Sequence, residues 1–216
     1  MTGDTLRHQG MRNRLVEQLK AKGISEPSVL SAISKVPRHL FLDSSFEAFA
    51  YQDNAFPIGA DQTISHPYTV AFQSQNLACT PGMKVLEVGT GSGYQCAVLL
   101  EMGCKVYTVE RQKELFYLSK MLLSKMNYRP IMSYGDGYKG MPSYAPFDRI
   151  IITAAAPFLP EPLLHQLKVG GQMIIPIGAD EEEQRMILLT KKSERTIERR
   201  DLGAFRFVPM LEDREG

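Results

Sequence analysis

The chain has 216 residues, of which 44% are hydrophobic and 23% are charged. This length and composition favour one globular domain with a sizeable core, and they exclude disordered and collagen-like chains. Lys and Arg total 25 against 24 Asp and Glu, a net charge of +1, so no broad positive field marks the chain as an obligate binder of nucleic acid.

The first 80 residues predict a mostly helical extension that packs on the rest of the same domain. Apolar residues recur at helical spacing from Met11 to Lys22 and from Pro27 to Val36. A loop containing Pro and Gly, Ala55–Ser65, interrupts this pattern, and Ser65 precedes Pro67 as a helix N-cap would. A turn at residues 80–82 divides the extension, residues 1–80, from a core, residues 81–216.

Beyond that turn the sequence alternates strand-like apolar runs with helical segments. Strands are predicted at Lys84–Val88, Lys105–Glu110, Asp148–Thr153, Gln172–Pro176, Met186–Thr190 and near Phe205–Met210, and helices at Tyr94–Met102 and Lys113–Met126. Their alternation predicts an α/β fold with a doubly wound, mostly parallel sheet and helices on both faces. The strands are almost continuously apolar, as expected when both faces of a sheet are covered. The charged segment Asp180–Gln184 predicts a solvated turn.

The first core strand leads directly into a glycine-rich loop, Gly89-Thr90-Gly91-Ser92-Gly93-Tyr94. Glycines at a strand-to-helix turn let the backbone approach a ligand, and the helix N-terminus favours a carboxylate or phosphate. The loop lacks the Gly-Lys-Ser/Thr ending of a Walker loop, and Tyr94 stands where the dinucleotide fingerprint requires glycine. A tight turn that needs positive φ is the structural alternative.

Two carboxylates follow later strands of the predicted sheet. Glu110 ends a strand, where it can accept hydrogen bonds from both hydroxyls of a ribose, and Asp136, within Tyr134–Gly137, can face an adenine amine. An ordinary strand-end charge and a Gly-Asp-Gly turn are the respective alternatives. Because the carboxyl ends of these strands meet at one crevice, the signals together predict a pocket for an adenosine that carries an amino-acid group, the shape of S-adenosylmethionine.

The chain resembles the protein-L-isoaspartate (D-aspartate) O-methyltransferases over roughly residues 11 to 210. Val85–Tyr94 resembles the first cofactor motif of that family, and Gln62-Thr63-Ile64-Ser65-His66-Pro67-Tyr68 resembles its active-site motif. The correspondence continues through Gly135-Asp136-Gly137, Pro146-Phe147-Asp148, Thr153-Ala154-Ala155-Ala156-Pro157, Gly170-Gly171 and Arg206-Phe207-Val208-Pro209.

This resemblance implies a Rossmann-like methyltransferase that moves the methyl group of S-adenosylmethionine to the free carboxylate of L-isoaspartyl residues in damaged proteins and peptides, which initiates their repair. Acceptance of D-aspartyl sites is left open. The implied catalytic residue is Ser65. The implied cofactor residues are Gln62, Thr63, Ile64, Glu87, Gly89, Thr90, Gly91, Ser92, Gly93, Tyr94, Glu110, Arg111, Asp136 and Gly137. The implied substrate residues are Ile64, Ser65, His66, Val208 and Pro209.

Two other functions share part of these signals. A methyltransferase acting on a small molecule would have the glycine loop but not Gln62–Ser65, and a non-catalytic module could bind a nucleotide as a sensor. No G-x-S-x-G elbow surrounds Ser65, which argues against a hydrolase, and no orienting carboxylate is evident for His66, which favours a surface position. Some relatives continue beyond the position of Gly216 into polar residues that contact the cofactor, so such contacts are left open here.

The cysteines and the N-terminus bear on the cellular compartment. Cys79, Cys96 and Cys104 form no CxxC pair and no cluster with histidines, which argues against a disulfide framework and a bound metal. No run approaches the ~18 apolar residues of a membrane span, and residues 1–14 carry no apolar signal core. We therefore predict a cytoplasmic protein with no metal, nucleic-acid or membrane partner. The oligomeric state is open, with a monomer favoured.

Overall fold

The structure is a computed structural model that describes residues 3–178 and 183–215. The helices are α1 Leu6–Ala21, α2 Pro27–Lys35, α3 Pro67–Leu77, α4 Tyr94–Glu101, α5 Lys113–Lys125 and α6 Glu161–Gln166, with short 3-10 helices at Arg38–Phe41, Ser44–Phe49 and Pro142–Tyr144. The strands are β1 Phe56–Gly59, β2 Gln62–Ile64, β3 Lys84–Val88, β4 Lys105–Glu110, β5 Ile131–Tyr134, β6 Phe147–Ile152, β7 Leu167–Ile177, β8 Gln184–Lys191 and β9 Ile197–Phe205.

Strands β3 to β9 form one sheet in the order β5-β4-β3-β6-β7-β8-β9. The first five strands of this order are parallel, and β8 and β9 add to β7 as an antiparallel edge. From β3 the chain proceeds outward through β4 and β5 and then returns to the other side of β3 with β6. Ligands of open α/β sheets bind where the strand order reverses in this way, at the carboxyl ends of the strands. The predicted doubly wound, mostly parallel sheet is confirmed.

The apolar runs place β3 and β4 at their predicted bounds, whereas the last strand was predicted wrongly. Strand β9 spans Ile197–Phe205 and ends where the predicted strand began. The first five residues of β9 are exposed, so its sequence has neither an apolar run nor a clear alternation of apolar and polar residues. Its place in the sheet comes from backbone pairing with β8, which needs no particular side chain. Residues 206–210 instead form an extended segment with an isolated bridge between Pro209 and Ala155.

Two predicted loops also differ from the structure. The segment Ala55–Ser65 contains an antiparallel hairpin, β1 and β2, in which Phe56 pairs with Ile64. These strands have only four and three residues, too few for a hydrophobic period to be recognised. Residues 180–182 of the predicted turn at Asp180–Gln184 lie outside the described residues, and Gln184 is a buried member of β8.

The N-terminal helices and the sheet contribute to the same hydrophobic cluster. Leu19 of α1 and Ile33 of α2 are fully buried together with Val85 of β3, Leu99 of α4 and Ile174 of β7. Burying one such side chain stabilises the fold by about 1.5–3 kcal/mol. The helical segment thus covers one face of the sheet, while a second cluster that includes α6 covers the other. No helix in the described part of the chain is long and apolar enough to cross a bilayer.

Candidate active site

A cavity lies at the carboxyl ends of β3, β4 and β6, beside the point where the strand order reverses. Fourteen residues assigned to the site from the sequence line it: Gln62, Thr63, Ile64, Ser65, Gly89, Thr90, Gly91, Ser92, Tyr94, Glu110, Arg111, Gly137, Val208 and Pro209. Glu87, Gly93, Asp136 and His66, which were also assigned, are not among the lining residues.

The loop between β3 and α4 needs its glycines for conformation and for space. Gly89, Gly91 and Gly93 have φ values of +95°, +52° and +88°, a region that side chains rarely adopt. A Cβ atom on Gly89 would lie 2.5 Å from the Thr153 hydroxyl, which donates to the Gly89 carbonyl at 2.7 Å. The tight turn and the ligand site are therefore compatible, because the same glycines that form the turn keep the backbone open to the cavity.

Glu110 braces the glycine loop from the end of β4. Its side chain is 4% exposed, and its two carboxylate oxygens accept hydrogen bonds from the backbone N–H groups of Gly91 and Gln112, both at 2.8 Å. Burial raises the pKa of Glu110, and these backbone hydrogen bonds oppose that shift. Each carboxylate oxygen keeps a further lone pair, so the group can also accept hydrogen bonds from a ligand.

Glu87 lies one strand away and is fully buried. Its Oε2 atom lies 2.6 Å from the Thr108 hydroxyl, which is itself 2.6 Å from the hydroxyl of Thr90. Burial raises the pKa of Glu87 to about 8. Glu87 thus reaches the cavity only through two threonines, and Thr90 alone of the three lines the cavity.

The turn after β5 presents backbone to the cavity. Asp136 accepts a hydrogen bond from the backbone N–H of Tyr138 at 2.9 Å and forms an ion pair with Lys139 at 3.1 Å, so its carboxylate is used within the turn. Gly137 lines the cavity, and a Cβ atom there would lie 2.6 Å from the Val88 side chain. A contact between Asp136 and an adenine stays a prediction.

The hairpin β1–β2 brings Gln62–Ser65 to the opposite wall of the cavity. Ser65 is half-buried, and within the described residues its hydroxyl makes no hydrogen bond. The predicted capping of α3 by Ser65 is wrong, because the helix begins at Pro67 and its N-cap residue is His66. The carboxylate of Asp53 instead accepts the hydrogen bond of the Tyr68 N–H at 2.8 Å. The Ser65 hydroxyl is therefore available to a ligand, while His66 is exposed.

The extended segment after β9 forms the remaining wall. The Val208 carbonyl accepts a hydrogen bond from the Ala155 N–H at 2.8 Å, and the Met210 N–H donates to the Ala155 carbonyl at 2.7 Å. These bonds hold Val208 and Pro209 across the end of β6. Further along, Leu211 lines the cavity, and the Arg111 side chain donates to the Asp213 carbonyl at 2.9 Å. The C-terminal segment thus closes the cavity near Glu110.

Nine lining residues were not assigned from the sequence: Val70, Val88, Gln95, Val109, Gln112, Thr153, Ala154, Met210 and Leu211. Val88, Thr153 and Ala154 lie in motifs that carried the family resemblance, and Gln112 adjoins Arg111, so weak signals existed for these four. Gln95 is 7% exposed and donates to the Ser74 hydroxyl of α3 at 3.0 Å, a contact between helices that no local pattern indicates.

Comparisons with known proteins agree with this geometry. The family model for protein-L-isoaspartate(D-aspartate) O-methyltransferase matches residues 10–215. A protein-L-isoaspartate O-methyltransferase of Flavobacterium johnsoniae is 61% identical over 98% of this chain and 99% of its own length. The protein of that name from Christiangramia forsetii is 60% identical over the same shares of the two chains.

Two solved structures are similar over most of the chain. A protein-L-isoaspartate O-methyltransferase has a TM-score of 0.84 and 29% identity, covering 92% of this chain and 65% of that longer chain. A beta-aspartate methyltransferase from Plasmodium falciparum, in complex with S-adenosyl-L-homocysteine, has a TM-score of 0.80 and 26% identity, covering 93% of this chain and 98% of that one.

Proposed function

The chain belongs to the protein-L-isoaspartate(D-aspartate) O-methyltransferase family, and on this basis we propose which parts of its cavity bind the cofactor and which hold the methyl acceptor. The protein is an S-adenosylmethionine-dependent O-methyltransferase whose substrates are damaged proteins and peptides that contain isoaspartyl residues. This assignment rests on one observation: the glycine loop, Glu110 and the Ser65 hairpin line the same cavity.

The residues of the cavity fit this cofactor. The open backbone at Gly89 and Gly91, next to the N-terminus of α4, suits the charged amino-acid group, and the buried carboxylate of Glu110 suits the ribose hydroxyls. When bound, S-adenosylmethionine supplies an electrophilic methyl group on a sulfonium. Arg111, Gln112 and Gly137 line the end of the cavity that the adenine would occupy.

The methyl acceptor needs no general base from the chain. The α-carboxylate of an isoaspartyl residue has a reference pKa of about 3.3–3.9, so it is ionised at neutral pH. The protein therefore acts by positioning, and good alignment of the two reacting groups can supply about 7–11 kcal/mol. Ser65 and nearby backbone N–H groups hold the carboxylate in line with the S–methyl bond, and Val208 and Pro209 contact the peptide backbone.

Methylation turns the carboxylate into a methyl ester, and the backbone nitrogen of the following residue can attack the ester carbonyl and release methanol. The succinimide that forms is opened by water, partly as normal aspartate. Substrates of this kind share an altered backbone linkage and no common side chains. A net charge of +1 suits an enzyme that meets many different proteins without a strong electrostatic preference. We further propose that the enzyme works in the cytoplasm as a monomer, without a nucleic-acid or membrane partner.

Transfer of tritium from methyl-labelled cofactor to an isoaspartyl peptide tests the function. We expect label in the isoaspartyl peptide as a base-labile ester and none in the matched aspartyl peptide. Label in small metabolites but in neither peptide would favour a small-molecule methyltransferase. Cofactor binding without any transfer would favour a sensor.

A further inference from the structure

Three buried side chains form a continuous path from the interior of the sheet to the cavity wall. Glu87 of β3 and Thr108 of β4 are direct neighbours in the sheet register. The Glu87 Oε2 atom and the Thr108 hydroxyl are 2.6 Å apart, and the Thr108 and Thr90 hydroxyls are also 2.6 Å apart. Glu87 and Thr108 are fully buried, and Thr90 is 4% exposed. Both distances lie within the hydrogen-bonding range of O–H···O groups.

The direction of the hydrogen bonds along this path depends on whether Glu87 is protonated. A hydroxyl carries one proton and can donate only one hydrogen bond at a time. An ionised Glu87 can only accept, so Thr108 must donate to Glu87, and Thr90 must donate to Thr108. A neutral Glu87 can donate to Thr108, which then donates to Thr90 and leaves the Thr90 proton directed toward the cavity. Ionisation releases one proton to solvent and breaks no covalent bond other than O–H.

Burial and the Glu110 carboxylate favour the neutral form of Glu87, whereas the interactions with Thr108 and Cys96 favour its ionised form. Cys96 of α4 and Glu110 of β4 are the titratable groups that interact with it, and Ile151 of β6 is its apolar neighbour on the other side of β3. Within the described residues no cation forms an ion pair with Glu87, and its Oε1 atom is buried without a hydrogen-bond partner. Burial and the nearby Glu110 carboxylate raise the pKa of Glu87 to about 8, so it is mostly neutral at pH 7.

We propose that Glu87 is a positioning residue that acts through Thr108 to set the hydrogen bonding of Thr90 toward the cofactor. With Glu87 neutral, the Thr90 hydroxyl donates to the carboxylate of the cofactor's amino-acid group, and with Glu87 ionised Thr90 offers that carboxylate only a lone pair. The N-terminus of α4 beside the loop favours the carboxylate over the ammonium group at this position. The inference rests on the proposed place of the amino-acid group at the glycine loop.

The test measures the affinity of S-adenosylhomocysteine by calorimetry from about pH 6.5 to 9.5, a range that spans the titration of Glu87. Between these limits the wild-type affinity should fall about tenfold more than that of Glu87→Gln, which cannot ionise, because a hydrogen bond to a charged group is lost. The ligand's own ammonium group titrates equally with both proteins, so the difference isolates Glu87.

Substitutions at Thr108 test the path itself. Thr108→Ser keeps the hydroxyl and should keep the wild-type pH profile, whereas Thr108→Val breaks the path and should give the flatter profile of Glu87→Gln. 5′-Methylthioadenosine lacks the amino-acid group, so its affinity should follow the same pH profile with all four proteins. Circular dichroism checks that each variant folds. If Glu87→Gln does not fold, the comparison of Thr108→Ser with Thr108→Val is sufficient to test the path.

A direct titration of Glu87 completes the test. In carbon-13 spectra of protein labelled at glutamate carboxyl carbons, the signal that Glu87→Gln removes should titrate near pH 8. Titration of that signal in the ordinary acid range, parallel affinity profiles for wild type and Glu87→Gln, or a wild-type profile in Thr108→Val would each overturn the inference. If the same preparation still methylates an isoaspartyl peptide, only the role of Glu87 is refuted and the proposed function stands.

Discussion

Two buried glutamates on neighbouring strands have different partners and therefore different chemistry. Glu110 accepts hydrogen bonds from two backbone N–H groups, which favour its ionised form. The Glu87 Oε2 atom lies at hydrogen-bond distance from the Thr108 hydroxyl, and burial raises the pKa of Glu87 to about 8. Residue type alone would have made the two equivalent, yet one is suited to hold ribose hydroxyls and the other to act through its neighbours.

Replacement of Ser65 by Ala tests its role in holding the acceptor carboxylate. Loss of one hydrogen bond to a charged group should lower kcat by about ten- to hundredfold. The dissociation constant of S-adenosylhomocysteine should change little, since Ser65 acts on the acceptor. Steady-state kinetics with an isoaspartyl peptide measure the effect, and Ser193→Ala, at an exposed serine, is the control. Turnover equal to that of wild type in a folded Ser65→Ala would refute the role.

Replacement of Glu110 by Ala tests the ribose contact. The change removes two acceptors for ribose hydroxyls and leaves the backbone N–H groups of Gly91 and Gln112 without their acceptor, so the dissociation constant of S-adenosylhomocysteine should rise about tenfold or more. Isothermal titration calorimetry measures this change. Glu114→Ala, at an exposed glutamate on α5, is the matched control. Equal affinity of Glu110→Ala and wild type would contradict the assignment.

At the scale of elements, the site depends on segments that have little structure of their own. The β3–α4 loop takes its shape from glycines at positive φ and from the Thr153 hydroxyl. The β1–β2 hairpin has short strands and reaches across to the loop, where the Ile58 side chain lies 3.4 Å from the position of a Cβ atom on Gly91. Loops that are positioned by a rigid scaffold commonly carry the functional residues of a protein.

The pair Gly89→Ala and Gly170→Ala separates crowding from backbone strain. Both glycines have positive φ, +95° and +82°, but a Cβ atom meets Thr153 at 2.5 Å only at Gly89 and meets nothing within 4 Å at Gly170. Each substitution should lower the free energy of unfolding by about 1–2 kcal/mol because of backbone strain. Gly89→Ala should lower it further and should also abolish cofactor binding.

Urea unfolding and calorimetry measure the two quantities for this pair. If the two variants have equal stability and both bind the cofactor, the close approach of Thr153 does not constrain the loop.

At the scale of the whole molecule, the N-terminal helices and the sheet bury side chains in one cluster. The division at residue 80 is a feature of the sequence pattern and stays a prediction as a domain boundary. Because Ser65 and the glycine loop come from opposite sides of that division, the cavity forms only when both segments are folded together.

Replacement of Ile33 by Ala tests whether the two segments unfold together. Ile33 is fully buried in α2, so the substitution should lower the free energy of unfolding by about 2–5 kcal/mol. Tyrosine fluorescence and far-ultraviolet circular dichroism should report one shared transition. Leu6→Ala, at a residue 85% exposed, should stay within about 0.5 kcal/mol of wild type. Two separate transitions would show that the helical segment folds on its own.

The sequence alone determined the sheet class and the position of its central strands. Near-continuous apolar runs identified β3 and β4 to the residue, and the glycines between β3 and α4 identified the strand end that faces the cavity. These features are local, because a buried strand must be apolar along its own length and a turn at positive φ requires glycine where it occurs.

Only the tertiary structure decided which distant groups meet. Asp53 rather than Ser65 completes the start of α3, and β9 joins the sheet through backbone hydrogen bonds that leave little trace in its side chains. The path from Glu87 to Thr90 crosses two strands, and Leu211 reaches the cavity from the far end of the chain. Such contacts arise from strand order and helix packing, because these bring together residues that share no local pattern.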